Sequence, residues 1–206
     1  MMLKIKYLIP FFWLLFLVPG SAQQNVNAGV SIGPEGLKSF YLSISNYYSV
    51  PEPQVVEIRQ RKIPEEELPV VFFIARRAQV KPEVIVDLRL GGYSWYDISV
   101  KYGIYPDAYY VPLESPPGPP YGNAYGYYRN KPRNEWREIR LSDEDIVNLV
   151  NLRFISESNH YKPEKIVEMR KEGNQFVVIN HKIKGDNKGN QNHGKGRGQG
   201  KGNKKK

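Results

Sequence analysis

Cysteine is absent from the 206-residue chain, so neither a disulfide framework nor a thiolate metal site is available, and stability must come from burial alone. Histidine is scarce. His160, His181 and His193 are the only three, and none stands in a His-Glu-x-x-His helix or a close pair that would grip a metal. The Gly-x-Ser-x-Gly elbow and the Walker loop are missing as well, and Gly91-Gly92 reads as a helix stop. The acidic triplets at 65–67 and 143–145 read as helix starts, where carboxylates favour the positive end of the dipole. No cofactor or metal is expected, and the chain reads as non-enzymatic. The alternative is an envelope-acting enzyme whose site is assembled from distant residues.

A long apolar run is missing too. The apolar stretch 7–18 has about a dozen residues, whereas a membrane-spanning helix needs roughly 20. Lys4 and Lys6 precede it, and Pro19-Gly20-Ser21-Ala22 follows, with small residues where a signal peptidase inspects the chain. Residues 1–22 therefore read as a cleavable secretory signal peptide. The expected location is the periplasm, the extracellular space or the cell surface. Without a cysteine at the exit, a lipid anchor there is excluded.

Negative charge is lacking at one end only. The formal net charge is +9, yet residues 23–181 hold 19 Lys or Arg against 20 Asp or Glu. From Lys182 onward there are nine Lys or Arg and one Asp. The tail, 185–206, has no apolar residue beyond glycine, cannot offset the entropy of ordering, and is predicted to be disordered. Its cations, Lys188, Lys195, Arg197, Lys201, Lys204, Lys205 and Lys206, are the candidate contacts for an anionic envelope polymer. Such a polymer would be lipopolysaccharide phosphate, acidic polysaccharide or extracellular nucleic acid. The tail has no aromatic ring for stacking, which argues against sequence-specific recognition of single strands. Another envelope protein is the second expected partner.

What is present is a repeat. Lys-Pro-Glu-Val-Ile-Val-Asp-Leu-Arg-Leu-Gly-Gly-Tyr-Ser-Trp at 81–95 returns 81 residues later as Lys-Pro-Glu-Lys-Ile-Val-Glu-Met-Arg-Lys-Glu-Gly-Asn-Gln-Phe. Each copy predicts a short helix. Pro82 and Pro163 suit the first position, and Gly92 and Gly173 the left-handed stop. Ile85 with Leu88, and Ile166 with Met169, form its apolar face. Arg89 and Arg170 are expected to pair with a nearby Glu or Asp. An amphipathic helix precedes each copy. In the first, over 65–78, Pro69 must lie in the opening turn. The second opens on the capping box Ser142-Asp143-Glu144-Asp145. A further helix is expected after the first copy, with Ser94 as N-cap, Asp97 closing the box and Gly103 as the stop.

Three stretches, 40–45, 55–58 and 176–180, are rich in β-branched and aromatic residues and are predicted as strands. Four prolines and three glycines within 115–128 predict an extended connector whose tyrosines pack onto a module. The fifteen tyrosines, against eight phenylalanines, suggest many half-buried rings with a wet hydroxyl. The expected organisation is mainly α: a segment with minor β at 23–62, helical module 1 at 63–112, connector at 113–136, helical module 2 at 137–184, and the basic tail at 185–206.

Leu-Pro-Val-Val-Phe-Phe-Ile-Ala-Arg-Arg at 68–77, Gly-Tyr-Ser-Trp-Tyr-Asp-Ile at 92–98, Gly-Pro-Pro-Tyr-Gly at 118–122 and Leu-Ser-Asp-Glu-Asp-Ile-Val at 141–147 resemble a set of uncharacterised exported proteobacterial proteins. The likeness spans most of 38–183 and implies export, but no activity. More loosely, 88–104 is similar to the first half of the helix-turn-helix in resolvase-type DNA-binding domains. A recognition helix would then begin near Pro106. The stretch 106–112 is too short for one, ends in proline and carries Asp107 but no Arg or Lys, so sequence-specific duplex binding is not expected.

Overall fold

The computed structural model describes residues 33–193, with side chains as far as Asn187. Among these residues nine α-helices follow one another. They are α1 (Pro34–Tyr48), α2 (Glu52–Gln60), α3 (Leu68–Ala78), α4 (Pro82–Leu90), α5 (Trp95–Lys101), α6 (Gly122–Asn130), α7 (Asp143–Asn159), α8 (Pro163–Lys171) and α9 (Phe176–His193). Short 3-10 turns lie at Glu65–Glu67, Pro106–Ala108 and Arg133–Glu138. No strand occurs among the described residues, and the chain is mainly helical.

The helix ends follow local chemistry. Pro82 and Pro163 open α4 and α8, and Pro69 sits in the first turn of α3, where no helical N–H is lost. Gly92 (φ 91°) and Gly173 (φ 84°) take the left-handed conformation that a side chain would strain. Ser94 Oγ accepts from the Asp97 N–H at 3.0 Å. Ser142 Oγ accepts from the Asp145 N–H at 3.1 Å, and Asp145 Oδ2 accepts from the Ser142 N–H at 3.0 Å. Ser142→Ala should therefore cost about 1 kcal/mol and lower the melting temperature by roughly 2–4 °C. An unchanged thermal midpoint would refute that role for the cap.

The core is built on α3, whose residues from Leu68 to Ala75 are all buried. It packs along α7 and α4, while α1 lies against α9 and α2. Phe154 of α7 meets Phe40 of α1 edge-on, with ring centroids 5.7 Å apart. Buried polar groups tie the layers. Asn159 donates to Asn180 Oδ1 at 3.3 Å, Asn180 donates to Ser43 Oγ at 3.0 Å, and Asn151 donates to the Glu66 carbonyl at 2.7 Å. The Asn159–Asn180–Ser43 chain thereby offsets the desolvation of its amides, whereas Asn151 keeps a buried Oδ1 without a partner.

Several expectations are corrected. The stretches 40–45 and 55–58 lie in α1 and α2, not in strands. Phe40, Ile44 and Tyr48 recur at helical spacing on one buried face of α1, and Val55 with Ile58 do so on α2. The stretch 176–180 opens α9, where Phe176, Ile179, Asn180 and Ile183 are all fully buried. That i, i+3, i+4, i+7 pattern overrides β-branched propensity. The connector is not wholly extended, because its prolines crowd into 116–120 and leave α6 free to form. Tyr121, Tyr125 and Tyr128 are buried there, so the tyrosines do pack. The tail boundary at 185 also moves, since α9 continues to His193. A helix already started on a packed face extends at little cost per residue, and the Asn187 amide donates to the Asn159 carbonyl at 3.4 Å. Residues 1–22 lie outside the described part.

The two stretches that repeat in sequence make reciprocal contacts. Arg89, at the end of α4, donates to both carboxylate oxygens of Glu67 at 3.0 and 3.1 Å and to Asp143 at 2.5 Å. Asp143 in turn accepts the N–H of Trp95, the first residue of α5, at 2.7 Å. Arg170, at the end of α8, pairs with Glu66 at 3.3 Å, and Glu66 accepts the N–H of Phe176, the first residue of α9, at 2.7 Å. Each guanidinium lies over the aromatic ring that follows it, at 4.6 Å for Trp95 and 4.4 Å for Phe176. Asp143, at the start of α7, thus caps α5 of the first half, and Glu66, in the turn leading into α3, caps α9 of the second. The acid, the unsatisfied N–H and the helix dipole all favour that arrangement.

Candidate functional site

Charge is neutralised unevenly over this scaffold. Arg59, Arg61, Arg89, Arg140 and Arg170 each pair with a carboxylate. Among the described residues, Arg76, Arg77, Arg129, Arg133, Arg137 and Arg153 make no such pair. Five of these six line three cavities that share walls. The first, about 270 Å³, lies between Tyr110, Leu113, Ser115, Pro116, Tyr125, Tyr128, Arg129 and Trp136. Tyr110 and Trp136 also wall the second, about 530 Å³, which adds Arg77, Asp107, Ala108, Pro112, Arg133 and Arg153. Arg77 and Arg153 continue into the third, about 410 Å³, with Tyr47, Tyr48, Phe73, Arg76 and Glu157. These three cavities, linked by shared lining residues and rich in arginine and aromatic rings, are called the trough.

Each part is placed by the fold. Arg76 and Arg77 occupy the last turn of α3, where the helix dipole favours cations, and Arg77 lies 4.7 Å over the Phe73 ring. Arg153 projects from the middle of α7 and donates to the carbonyls of Ala108 (3.2 Å) and Tyr110 (2.7 Å). Its Nε is buried without a partner. Arg133 lies 5.3 Å over Trp136. The ring cluster is locked by its own polar ends. Tyr125 donates to the Val111 carbonyl at 2.5 Å, Tyr128 to the Pro106 carbonyl at 2.7 Å, and Trp136 Nε1 to the Tyr128 carbonyl at 3.0 Å. Burial pushes the Tyr125 and Tyr128 phenols well above their ordinary range. Tyr47, at the other end, donates to Glu157, and burial followed by that bond raises its phenol too.

Five guanidinium groups face two carboxylates, Asp107 and Glu157, along this lining. Guanidinium stays protonated at any physiological pH, so it supplies charge and a fork of donors, not proton transfer. Such forks receive carboxylate or phosphate in bidentate fashion, and a concave wall of low dielectric concentrates their field. A fourth cavity, about 510 Å³, holds Glu65, Glu66 and Glu67. Each of these glutamates is already paired with an arginine.

Lys188 falls within α9, and Lys195, Arg197, Lys201, Lys204, Lys205 and Lys206 lie outside the described residues. The trough itself went unread because the even charge of the body hides how its cations are placed. The one local signal is Arg76-Arg77, which follows a buried run with no acid within a turn. Between Gly103 and α6 the chain forms only the 3-10 turn Pro106–Ala108, with no helix where a recognition helix would begin. Among the described residues no His, Cys, Asp or Glu cluster is placed to hold a metal, and no helix is long and apolar enough to cross a membrane. No family model matches the chain, and no curated protein or solved structure matches it either.

Proposed function

We propose that this is an exported, non-enzymatic binding or assembly protein of the periplasm or cell surface, which holds an anionic partner in the arginine–aromatic trough. The observation that carries this reading is the gathering of five unpaired arginines on three cavities that share walls. The leader at 1–22 and the resemblance to exported proteobacterial proteins support the location. The basic tail supplies a second, sequence-tolerant contact to an anionic envelope polymer. The trough is held by two related helical modules that arose by duplication. Arg89 and Arg170, equivalent in the repeat, each pair with an acid of the other half and lie over the ring that follows, which supports that origin.

Heparin serves as a polyanion probe. Arg77 and Arg133 are exposed, so R77Q/R133Q should fold as the parent does. In the mature chain this pair should weaken heparin binding by about tenfold, close to 1.4 kcal/mol. Removing 188–206 should weaken it further and flatten its dependence on salt, because exposed charges are screened within about 10 Å at 0.1 M. Heparin affinity unchanged in R77Q/R133Q would sink the trough as the binding surface.

A further inference from the structure

We infer that the trough's natural occupant is an acidic polypeptide segment that carries one apolar, preferably aromatic, anchor side chain. This rests on the anion-binding reading above and adds the chemistry of the ligand. The smallest cavity, about 270 Å³, falls just under the ~300–1,000 Å³ that encloses a whole small ligand. It has room for one side chain, not for a lipid tail.

Its walls also select. The hydroxyls of Tyr125 and Tyr128 and the indole N–H of Trp136 are committed to backbone carbonyls, so these three rings offer an incoming group their apolar surface. The rings meet edge to face, at 63° for Tyr128 with Trp136 and 69° for Tyr110 with Tyr128. None of the ring pairs in this wall is parallel. One wall away stand Arg77, Arg133 and Arg153, without carboxylate partners. An apolar group flanked by acids satisfies both compartments, and aromatic anchors beside arginine are the composition of interface hot spots.

Residues 1–32 and 194–206 hold no Asp or Glu side chain, so an acidic segment of another molecule is the fitting source of charge.

The test measures fluorescence anisotropy of a labelled synthetic peptide, Glu-Asp-Phe-Glu-Asp, against the mature chain. A second peptide carries Ala in place of Phe. The Phe peptide should bind about tenfold more tightly than the Ala peptide. S115W, a change at an exposed loop residue that fills the apolar cavity, should erase this preference while heparin binding persists. R77Q/R133Q should weaken both peptides by about tenfold. Equal binding of the two peptides, both still weakened by R77Q/R133Q, overturns the anchor and leaves the anionic trough standing. If R77Q/R133Q weakens neither peptide nor heparin, both readings fall. A heparin oligosaccharide or an oligonucleotide of matched charge that binds more tightly than the Phe peptide also overturns the proposal.

Discussion

Glu66→Ala should lower the unfolding free energy by about 3 kcal/mol, the low end of the cost of removing one partner from a buried ion pair. The value sits at that end because Arg170 and Glu66 retain 19% and 24% of their side-chain exposure. Two groups are stranded at once. Arg170 keeps only the Asn174 carbonyl, and the Phe176 N–H at the start of α9 loses its acceptor. For a domain of this size the loss corresponds to a fall in melting temperature of roughly 6–12 °C. The counterpart in the other half, Asp143→Ala, should cost less, about 1–2 kcal/mol. There Arg89 keeps both bonds to Glu67, and only the Trp95 N–H is orphaned. Chemical denaturation of the two variants gives the ranking. If Asp143→Ala proves the more damaging, the division of labour read from these distances is wrong.

The second large effect is alkaline. Burial raises the phenols of Tyr109, Tyr121, Tyr125 and Tyr128 well above their ordinary value. In the unfolded chain each titrates near pH 10. Below that pH both states are protonated and the burial contributes its full stability. Above it the unfolded chain sheds protons that the folded one must keep, so stability falls as pH rises. Four such groups together withdraw about 5 kcal/mol per pH unit. A typical domain has ~5–15 kcal/mol to lose. Helical circular dichroism should therefore collapse cooperatively within a unit or two above about pH 10, in step with the rise of tyrosinate absorbance. Gradual tyrosinate formation with helicity intact through that range would contradict this.

Helix ends were the most legible part of the molecule, because they are decided by neighbours. The prolines at 69, 82 and 163, the box at Ser142, and the left-handed Gly92 and Gly173 all stand where local chemistry puts them. Stretches of α1, α2 and α9 carry strand-like residue types over four to six positions, too short a window for the helical period to show. Phe176 to Asn180 looks β-branched until Ile183 is added, and only then does the helical period close. That Arg89 and Arg170 would meet acids was readable, but not which acids. Glu66 lies 104 residues from Arg170, a separation at which spacing carries no information. The trough was hidden for the same reason, since Arg153 reaches the Tyr110 carbonyl across 43 residues. A count of charges along the chain cannot reveal that five arginines share one depression.

The crossed carboxylate contacts also bear on how this chain must be made. Leu68 to Ala75 forms a greasy rod that α4 covers on one side and α7, synthesised much later, on another. Until α7 has emerged, one side of that rod stays open, and Glu66 waits for Arg170 and Phe176, which come later still. Truncated translation products should thus offer proteases and chaperones a long apolar surface, while the finished polypeptide hides it in a single step.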